Sequence, residues 1–378
     1  MADRTLHLLF LDQYGQIGGG QRILLDLVSA VHARGWMVDV LCPSGPLADA
    51  AHAAGAKVHA LHVPPMRSGP KSPWALMRAA YASHKIAQEH SALAERCDLV
   101  VVNGPRTLAI ARPWVRKLGK PALLYLHGVY GRLENMIIRS FLALPNTAAV
   151  APSAWVAAPF SGLSNVHRIS NWVSREFLEA PEDTAHVRQV LGITDVHPIV
   201  LVPGRFSPNK GQRLVLEASH LLSDVPCHFV FAGAPLFEMQ GREVAAELVT
   251  ASKSLPDRIH VTHWKEAMPS LYDGSDLVVV PSVWEEPFGL TVLEAMARAR
   301  PLIVTDRGAL PGLADSGRVA QVVGADASAI AAALREFFGH RGAWGERARE
   351  ARKHVETQYH PDRLQQEVLA LCSSLLSS

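Results

Sequence analysis

The stretch Pro281-Ser282-Val283-Trp284-Glu285-Glu286-Pro287-Phe288-Gly289-Leu290-Thr291-Val292-Leu293-Glu294-Ala295-Met296-Ala297 carries the densest potential chemistry in the chain. Glu286 and Glu294 are separated by seven residues. The first lies on a loop after an apolar run, the second about one turn into a helix. Carboxylates accept hydrogen bonds from sugar and ribose hydroxyls. The helix opens at Gly289, Leu290 and Thr291, where unpaired amides can hold a phosphate. Upstream, Gly204-Arg205-Phe206-Ser207-Pro208-Asn209-Lys210-Gly211 follows another apolar run and precedes another helix. Arg205 offers a planar fork and Lys210 a point charge, a pairing suited to a diphosphate. Two solvated surface cations are the alternative; the flanking glycines and Pro208 weigh against it. Near the N-terminus, Gly18-Gly19-Gly20 sits between an apolar run and a helix, again a phosphate-contact geometry. A tight packing turn accounts for this loop equally well. It lacks the GxGxxG spacing of dinucleotide sites, and no GKS or GKT follows.

Strands must carry these loops. Short apolar runs at Thr5–Leu11, Val38–Leu41, Lys57–Leu61, Leu99–Val102, Ala122–Leu126 and Ala148–Val150 read as buried parallel strands. Ile169–Trp172 reads as a further short strand and turn. Helical spacing follows the triple glycine, with Gly35 as its stop, and recurs over Pro73–His90 and Glu134–Leu144. Residues 174–197 read as a connecting segment with a short helix. A second series starts afresh, with strands at Ile199–Val202, Cys227–Ala232, Ile259–Thr262, Leu277–Val280, Pro301–Thr305 and Ala320–Val323. Helices are expected over Arg213–Leu222, Gly289–Ala299, Ala327–Phe338, Arg341–Tyr359 and Pro361–Leu376. This is an α/β chain of two Rossmann-like domains facing a central cleft, with ligands at the carboxyl ends of the strands. The expected division is an N-terminal domain over 1–180, a C-terminal domain over 181–360, and a final helix over 361–378.

Composition agrees with a globular enzyme. The chain has 378 residues, too long for one ordinary domain, and 19% are charged. Residues 1–180 hold 18 of its 37 Lys and Arg but only 11 of its 35 Asp and Glu, a local net charge of +7; the remainder carries −5. An anionic acceptor or membrane face would favour the N-terminal half, and ordinary surface charge explains the asymmetry equally well. The basic segments Arg67–Lys85 and Arg112–Lys120, with Trp74 and Trp114, are the candidates for lipid contact; a plain solvated helix face is the competing reading. The acidic C-terminal half and the lack of a recognition motif exclude a nucleic-acid partner. Cys42, Cys97, Cys227 and Cys372 have no metal-ligand spacing and read as idle thiols of a reducing compartment. The first apolar run is too short for a leader or a spanning helix, so the expected location is cytoplasmic, at most peripheral to the inner face of a membrane. The lack of an Asp-x-Asp motif at a strand end argues against a required divalent metal.

Taken together, these motifs resemble glycosyltransferase family 4, a retaining family with the two-domain GT-B fold. Glu286 and Glu294 match its Glu-x7-Glu motif, and Arg205 and Lys210 its diphosphate signature. The loop Gly18–Gly20, the pair His127-Gly128 and Ile169–Trp172 also match. Three positions depart from the pattern: Gly312 stands where a glutamate is usual, and His263 and Trp172 where glycines are usual.

The resemblance implies transfer of a sugar from a nucleotide-diphosphate sugar to a hydroxyl of a glycan, lipid-linked or small-molecule acceptor. It implies retention without a protein nucleophile, no cofactor, and cell-surface polysaccharide or glycoconjugate synthesis as the setting. His127, Arg205, Lys210 and Glu286 would act in catalysis. Gly18, Gly19, Gly20, Gly204, Arg205, Lys210, Trp264, Glu286, Phe288, Gly289, Leu290, Thr291 and Glu294 would hold the donor. The last helix would cross back to the N-terminal domain. A sugar-nucleotide epimerase of the same architecture and a non-catalytic nucleotide-sugar-binding protein are the rival readings.

Overall fold

A computed structural model describes residues 5–62, 73–236, 239–263 and 268–377. The chain separates into two compact units, residues 1–170 with 362–378, and residues 171–361. Each is built on one parallel sheet.

The first sheet contains β1 (His7–Leu11), β2 (Met37–Cys42), β3 (Lys57–Ala60), β4 (Leu99–Val102), β5 (Ala122–Tyr125), β6 (Thr147–Ala151) and β7 (Val166–Arg168), in the order β3-β2-β1-β4-β5-β6-β7. The second contains β8 (Ile199–Pro203), β9 (His228–Ala232), β10 (Ile259–Thr262), β11 (Leu277–Val280), β12 (Leu302–Thr305) and β13 (Gln321–Val323), in the order β10-β9-β8-β11-β12-β13. In both, the chain winds outward from the middle, then returns to the other side of its first strand. The reversal lies between β1 and β4 in one sheet and between β8 and β11 in the other. At such a point the loops leaving two adjacent strands diverge and open a crevice at their carboxyl ends.

The two returning strands show why these sequences make central strands. Both β4 and β11 read Leu-Val-Val-Val and are buried along their whole length. Apolar, β-branched residues on both faces suit a strand covered by helices on both sides. In the first unit, the helices over Pro73–Glu89, Leu108–Leu118 and Arg132–Leu142 share one core with β1, β4 and β5, through Ala87, Trp114 and Phe141. Helix Leu108–Leu118 holds Pro113 in its interior. All four cysteines are buried and free, and burial pushes the Cys42, Cys97 and Cys372 thiols up to about 12. Among the described residues, no helix is long and apolar enough to cross a membrane.

The structure departs from the sequence reading at four places. The seventh strand is Val166–Arg168, and the expected strand Ile169–Trp172 is irregular chain with Trp172 fully buried. A helix over Met239–Ser254 was not expected. Trp114 is no surface residue: it is 1% exposed and its indole N–H donates to the Ala87 carbonyl at 2.9 Å. The units divide at residue 170 rather than 180, and the final helix groups with the first unit. The physical reason for the earlier division is Arg298. Its guanidinium pairs with Asp273 at 2.6 Å and donates to the carbonyls of Phe177, Ala180 and Pro181. Phe177 packs edge-on against Tyr272 at 5.5 Å. Residues 171–181 are therefore stapled to the second unit.

Arg298 and Asp273 are 3% and 1% exposed, so removing one strands the other charge in the core. Arg298→Leu is expected to destabilise the second unit by about 3–5 kcal/mol. Urea unfolding followed by tryptophan fluorescence checks this; a change within the scatter of surface substitutions would mean that the segment 171–181 is held by packing alone.

Candidate active site

In the second unit the loops leaving β8 and β11 are pressed together. Gly211 closes the first loop in the left-handed region at φ +68°, and a β-carbon there would lie 1.9 Å from the Pro281 carbonyl oxygen. The Val283 amide donates to the Asn209 carbonyl at 3.0 Å. This contact brings Lys210 to Glu286: the ammonium donates to both carboxylate oxygens at 2.8 Å. The Ser282 hydroxyl donates to the same carboxylate at 2.8 Å. Thr305 Oγ1 in turn donates to the Ser282 carbonyl at 2.6 Å. On the far side, Gly308 lies so close to the backbone of Glu286 that a β-carbon would fall 2.3 Å from its carbonyl oxygen, and the Ala309 amide donates to that oxygen.

Burial alone would raise the Glu286 carboxyl. Lys210, the Ser282 hydroxyl and the nearby Arg205 guanidinium outweigh it and hold the group below its ordinary value. Glu286 is therefore an ionised acceptor. Two of Lys210's three N–H donors are spent on it, leaving one for a ligand. Arg205 is partly exposed on the same loop, beside Gly204, whose α-carbon faces open space. Gly289, at φ +118°, caps helix Leu290–Ala297, so the first amides of Leu290 and Thr291 point out of the helix end.

Two expected donor contacts take a different form. Glu294 is 6% exposed and accepts from the Tyr272 hydroxyl at 2.7 Å. Phe288 is buried in the core, edge-on to Tyr359; only its backbone can meet a ligand. Trp264 lies outside the described residues. Of the three departures noted in the sequence, Gly312 has no atom within 4 Å of where a β-carbon would stand, so a longer side chain fits there.

The first unit has its own cluster at its own point of reversal. Asp12 directly follows β1, Asn103 directly follows β4, and His127 follows β5 with Leu126 between. The Asp12 carboxylate accepts from the Tyr14 amide at 2.7 Å, Gln21 Nε2 at 2.9 Å and Asn103 Nδ2 at 2.6 Å. Gln21 Oε1 accepts from the Gly18 amide at 3.1 Å, which ties the glycine loop to Asp12. Asn103 Oδ1 lies 2.6 Å from His127 Nε2. The imidazole stacks on Tyr125 at 4.9 Å, and a β-carbon on Gly20 would stand 3.0 Å from it. Burial lowers the His127 pKa from 6.5 to about 4, so the ring is neutral at physiological pH. Gly18 caps helix Gly19–Ala33. Sequence reasoning singled out Gly18–Gly20 and His127 but missed Asp12 and Asn103 as site residues, together with Ser282 and Tyr272.

The Lys210–Glu286 pair makes a signed prediction. A carboxyl with a lowered folded pKa stabilises the protein above its unfolded pKa and loses that contribution as pH falls through the folded value. In Lys210→Met the larger compensating charge is gone, only Arg205 and the Ser282 hydroxyl remain, and burial, the largest single influence, prevails. The Glu286 pKa is expected to rise above the ordinary 4.5, so the variant's stability deficit should shrink as the medium is acidified. Carboxyl carbon NMR titration of both proteins reads this directly; an unshifted Glu286 in the variant would show that Lys210 does not set its charge.

Comparison with known proteins fits this geometry. The model described as Glycosyltransferase Family 4 matches residues 17–177, and that described as Glycosyl transferases group 1 matches residues 197–340. An alpha-D-kanosaminyltransferase of Streptomyces kanamyceticus is 34% identical over 164 residues, 42% of this chain and 41% of that protein. The lipopolysaccharide core biosynthesis mannosyltransferase LpsB of Rhizobium meliloti is 29% identical over 181 residues, 47% of this chain and 50% of that protein. The chain thus spans about half or less of the length of these curated relatives. Among solved structures, Anabaena Alr3699/HepE in complex with UDP and glucose superposes with a TM-score of 0.80 at 21% identity, covering 98% of this chain and all of that one. That likeness shows the fold: two parallel-sheet α/β domains of the GT-B kind. With the Glycosyltransferase Family 4 model on the first half of the chain and the group 1 model on the second, the chain belongs to glycosyltransferase family 4.

Proposed function

We propose that the protein is a retaining, metal-independent glycosyltransferase that moves a sugar from a nucleotide-diphosphate sugar to an acceptor hydroxyl. The observation that carries this reading is the Lys210–Glu286–Ser282 cluster at the crevice between β8 and β11. Arg205, Lys210 and the amides opening helix Leu290–Ala297 supply positive charge where a diphosphate departs. Glu286, ionised and fixed on two sides, accepts hydrogen bonds from the hydroxyls of the sugar. Glu294, braced by Tyr272, serves the ribose. The bond from the anomeric carbon to the phosphate oxygen breaks while the acceptor oxygen bonds to the same face of that carbon. The acceptor's proton passes to the departing phosphate oxygen. The charge of the leaving group is met by protein cations, so the reaction needs no divalent ion. The UDP and glucose bound in the solved HepE structure support a nucleotide sugar as donor, and the relative named for lipopolysaccharide core biosynthesis supports a cell-surface glycan as product.

A membrane-linked acceptor has separate support in the first unit. Trp74, Met77 and Tyr81 recur at helical spacing on one outer face and are 79%, 63% and 72% exposed. Leu133 and Met136 on helix Arg132–Leu142 are 65% and 66% exposed. Both helices cover the same side of the sheet and carry Arg78, Lys85, Arg132 and Arg139 beside these apolar residues. Apolar side chains among cations suit an anionic lipid surface at the cytoplasmic face.

Two experiments test these readings. Nucleotide release from UDP-, GDP-, ADP- and dTDP-sugars is measured with EDTA present. One donor is expected to turn over, with a loss of ~100-fold or more in Lys210→Ala and Glu286→Ala. Turnover that requires added metal overturns metal independence, a rearranged free nucleotide sugar indicates an epimerase, and absence of binding to every donor indicates a non-catalytic protein. For the surface, cosedimentation with phosphatidylglycerol vesicles is expected and should be lost in Trp74→Glu/Met136→Glu. Equal binding of both proteins removes the membrane assignment.

A further inference from the structure

The cluster after β1, β4 and β5 fixes more than the position of His127. Each hydrogen bond in it determines the direction of the next. Gln21 Oε1 accepts from the Gly18 amide, so Gln21 Nε2 must be the end that faces Asp12. The Tyr14 amide can only donate, and it does so to the other Asp12 oxygen. Burial pushes the Asp12 carboxyl above its ordinary value, while the N–H donors that meet both of its oxygens, from Asn103, Tyr14 and Gln21, favour the ionised form. Asp12 is fully buried, so its unmet lone pairs would be costly, and it requires a donor from Asn103 as well. The Asn103 amide must turn its Nδ2 to Asp12, 2.6 Å away; that nitrogen also lies 3.4 Å from the Gly20 carbonyl. Its Oδ1 is then the atom that meets His127 Nε2 at 2.6 Å, and an oxygen there calls for an N–H on the ring.

We propose that Asp12 and Asn103 are positioning residues that lock His127 as the neutral tautomer protonated at Nε2, so that Nδ1 is a fixed hydrogen-bond acceptor for a substrate hydroxyl. His127 is then neither the proton donor nor the cation of the reaction. It orients a hydroxyl by accepting from it, and the charge of the departing group is left to Arg205 and Lys210. Among the described residues no partner occupies Nδ1, and the ring is partly exposed. Stacking on Tyr125 and the close approach of Gly20 hold the plane of the ring, while Asn103 sets its protonation. The device rests on the proposed transfer only for the identity of the hydroxyl; the tautomer itself is independent of any donor.

Long-range nitrogen–proton correlation NMR on protein labelled at histidine tests it without substrate. In the wild type, His127 is expected to show a protonated Nε2 and an unprotonated Nδ1 at neutral pH. It should not titrate until the pH approaches about 4. In Asn103→Ala the ring should become a tautomer mixture. Gln21→Ala, which loosens Asp12 without touching His127, should shift the population in the same direction by a smaller amount and serves if the first variant fails to fold. A wild-type ring protonated at Nδ1, or a tautomer unmoved in a folded Asn103 variant, overturns the proposal. Should transfer activity itself be absent while the tautomer is locked as described, the functional reading fails and the positioning device stands. With an active donor in hand, Asn103→Ala is expected to raise KM and lower kcat while leaving the acid limb of the pH profile unchanged. A new acid limb near the ordinary histidine value would mean that His127 carries a proton in the reaction.

Discussion

Gly211 has no room for a β-carbon because the Pro281 carbonyl occupies its place. That backbone-on-backbone approach joins the loop after β8 to the loop after β11, and the chemistry of the second unit depends on it. Without it, a cation and a carboxylate 76 positions apart in sequence would not share two hydrogen bonds of 2.8 Å. The reversal of strand order opens the crevice, and the glycine closes the loops over it tightly enough for side chains to meet. Gly308 repeats the device on the other flank, where only a residue without a side chain can lie against the Glu286 backbone. Glu286 is thus held by its backbone on one side and by its carboxylate on the other.

The two units solve the same topological problem with different electrostatics. Both sheets run in the same order through their first six strands, and both place polar residues on the loops that leave the strands flanking the reversal. In the second unit these residues form a charged pair. The cost of burying Glu286 is offset by Lys210, and the same ammonium keeps a donor free. In the first unit the acid of the cluster, Asp12, is met by N–H groups rather than by a cation. A group that must stabilise a departing anion needs charge. A group that must orient a hydroxyl needs only a fixed lone pair, and a neutral environment is the better one for keeping it unprotonated.

Much of the fold could be read from the chain because its central strands are buried on both faces. Leu-Val-Val-Val at β4 and β11 leaves little alternative to an interior strand, and the positions of both agree with the sequence reading. Reading failed where burial came from outside the element. Trp114 lies among basic residues in sequence, yet its ring is covered by the neighbouring helix through Ala87. Residues 174–197 read as a connecting segment, with Pro181, Glu182 and Asp183, because nothing local announces that Arg298 will bind the carbonyls of Phe177, Ala180 and Pro181. In the site, the residues found from sequence were those with an unusual spacing or a charge: Arg205, Lys210, Glu286, Glu294. Asp12, Asn103 and Ser282 are ordinary polar residues taken singly. Their one shared signal is position, since each comes at the end of an apolar strand, as His127 does, and in an open parallel sheet that is where ligands are met.

The same logic explains how a lone glutamate in a crevice lined by cations avoids becoming a mere counter-ion. A carboxylate fully satisfied by Lys210 and Arg205 would have no lone pairs left for a substrate, and a free one would be forced by burial to take up a proton. Glu286 lies between these limits. Lys210 bridges both oxygens and Ser282 adds one hydroxyl, which is enough to keep the group ionised and too little to exhaust its four acceptor positions. What remains is directional: the one open acceptor position can point only where Lys210, Ser282 and the Gly308 backbone do not. On the proposed function, the hydroxyl that Glu286 accepts is set by these three fixed neighbours rather than by the carboxylate alone, so a change at any of them is expected to alter it even with Glu286 in place.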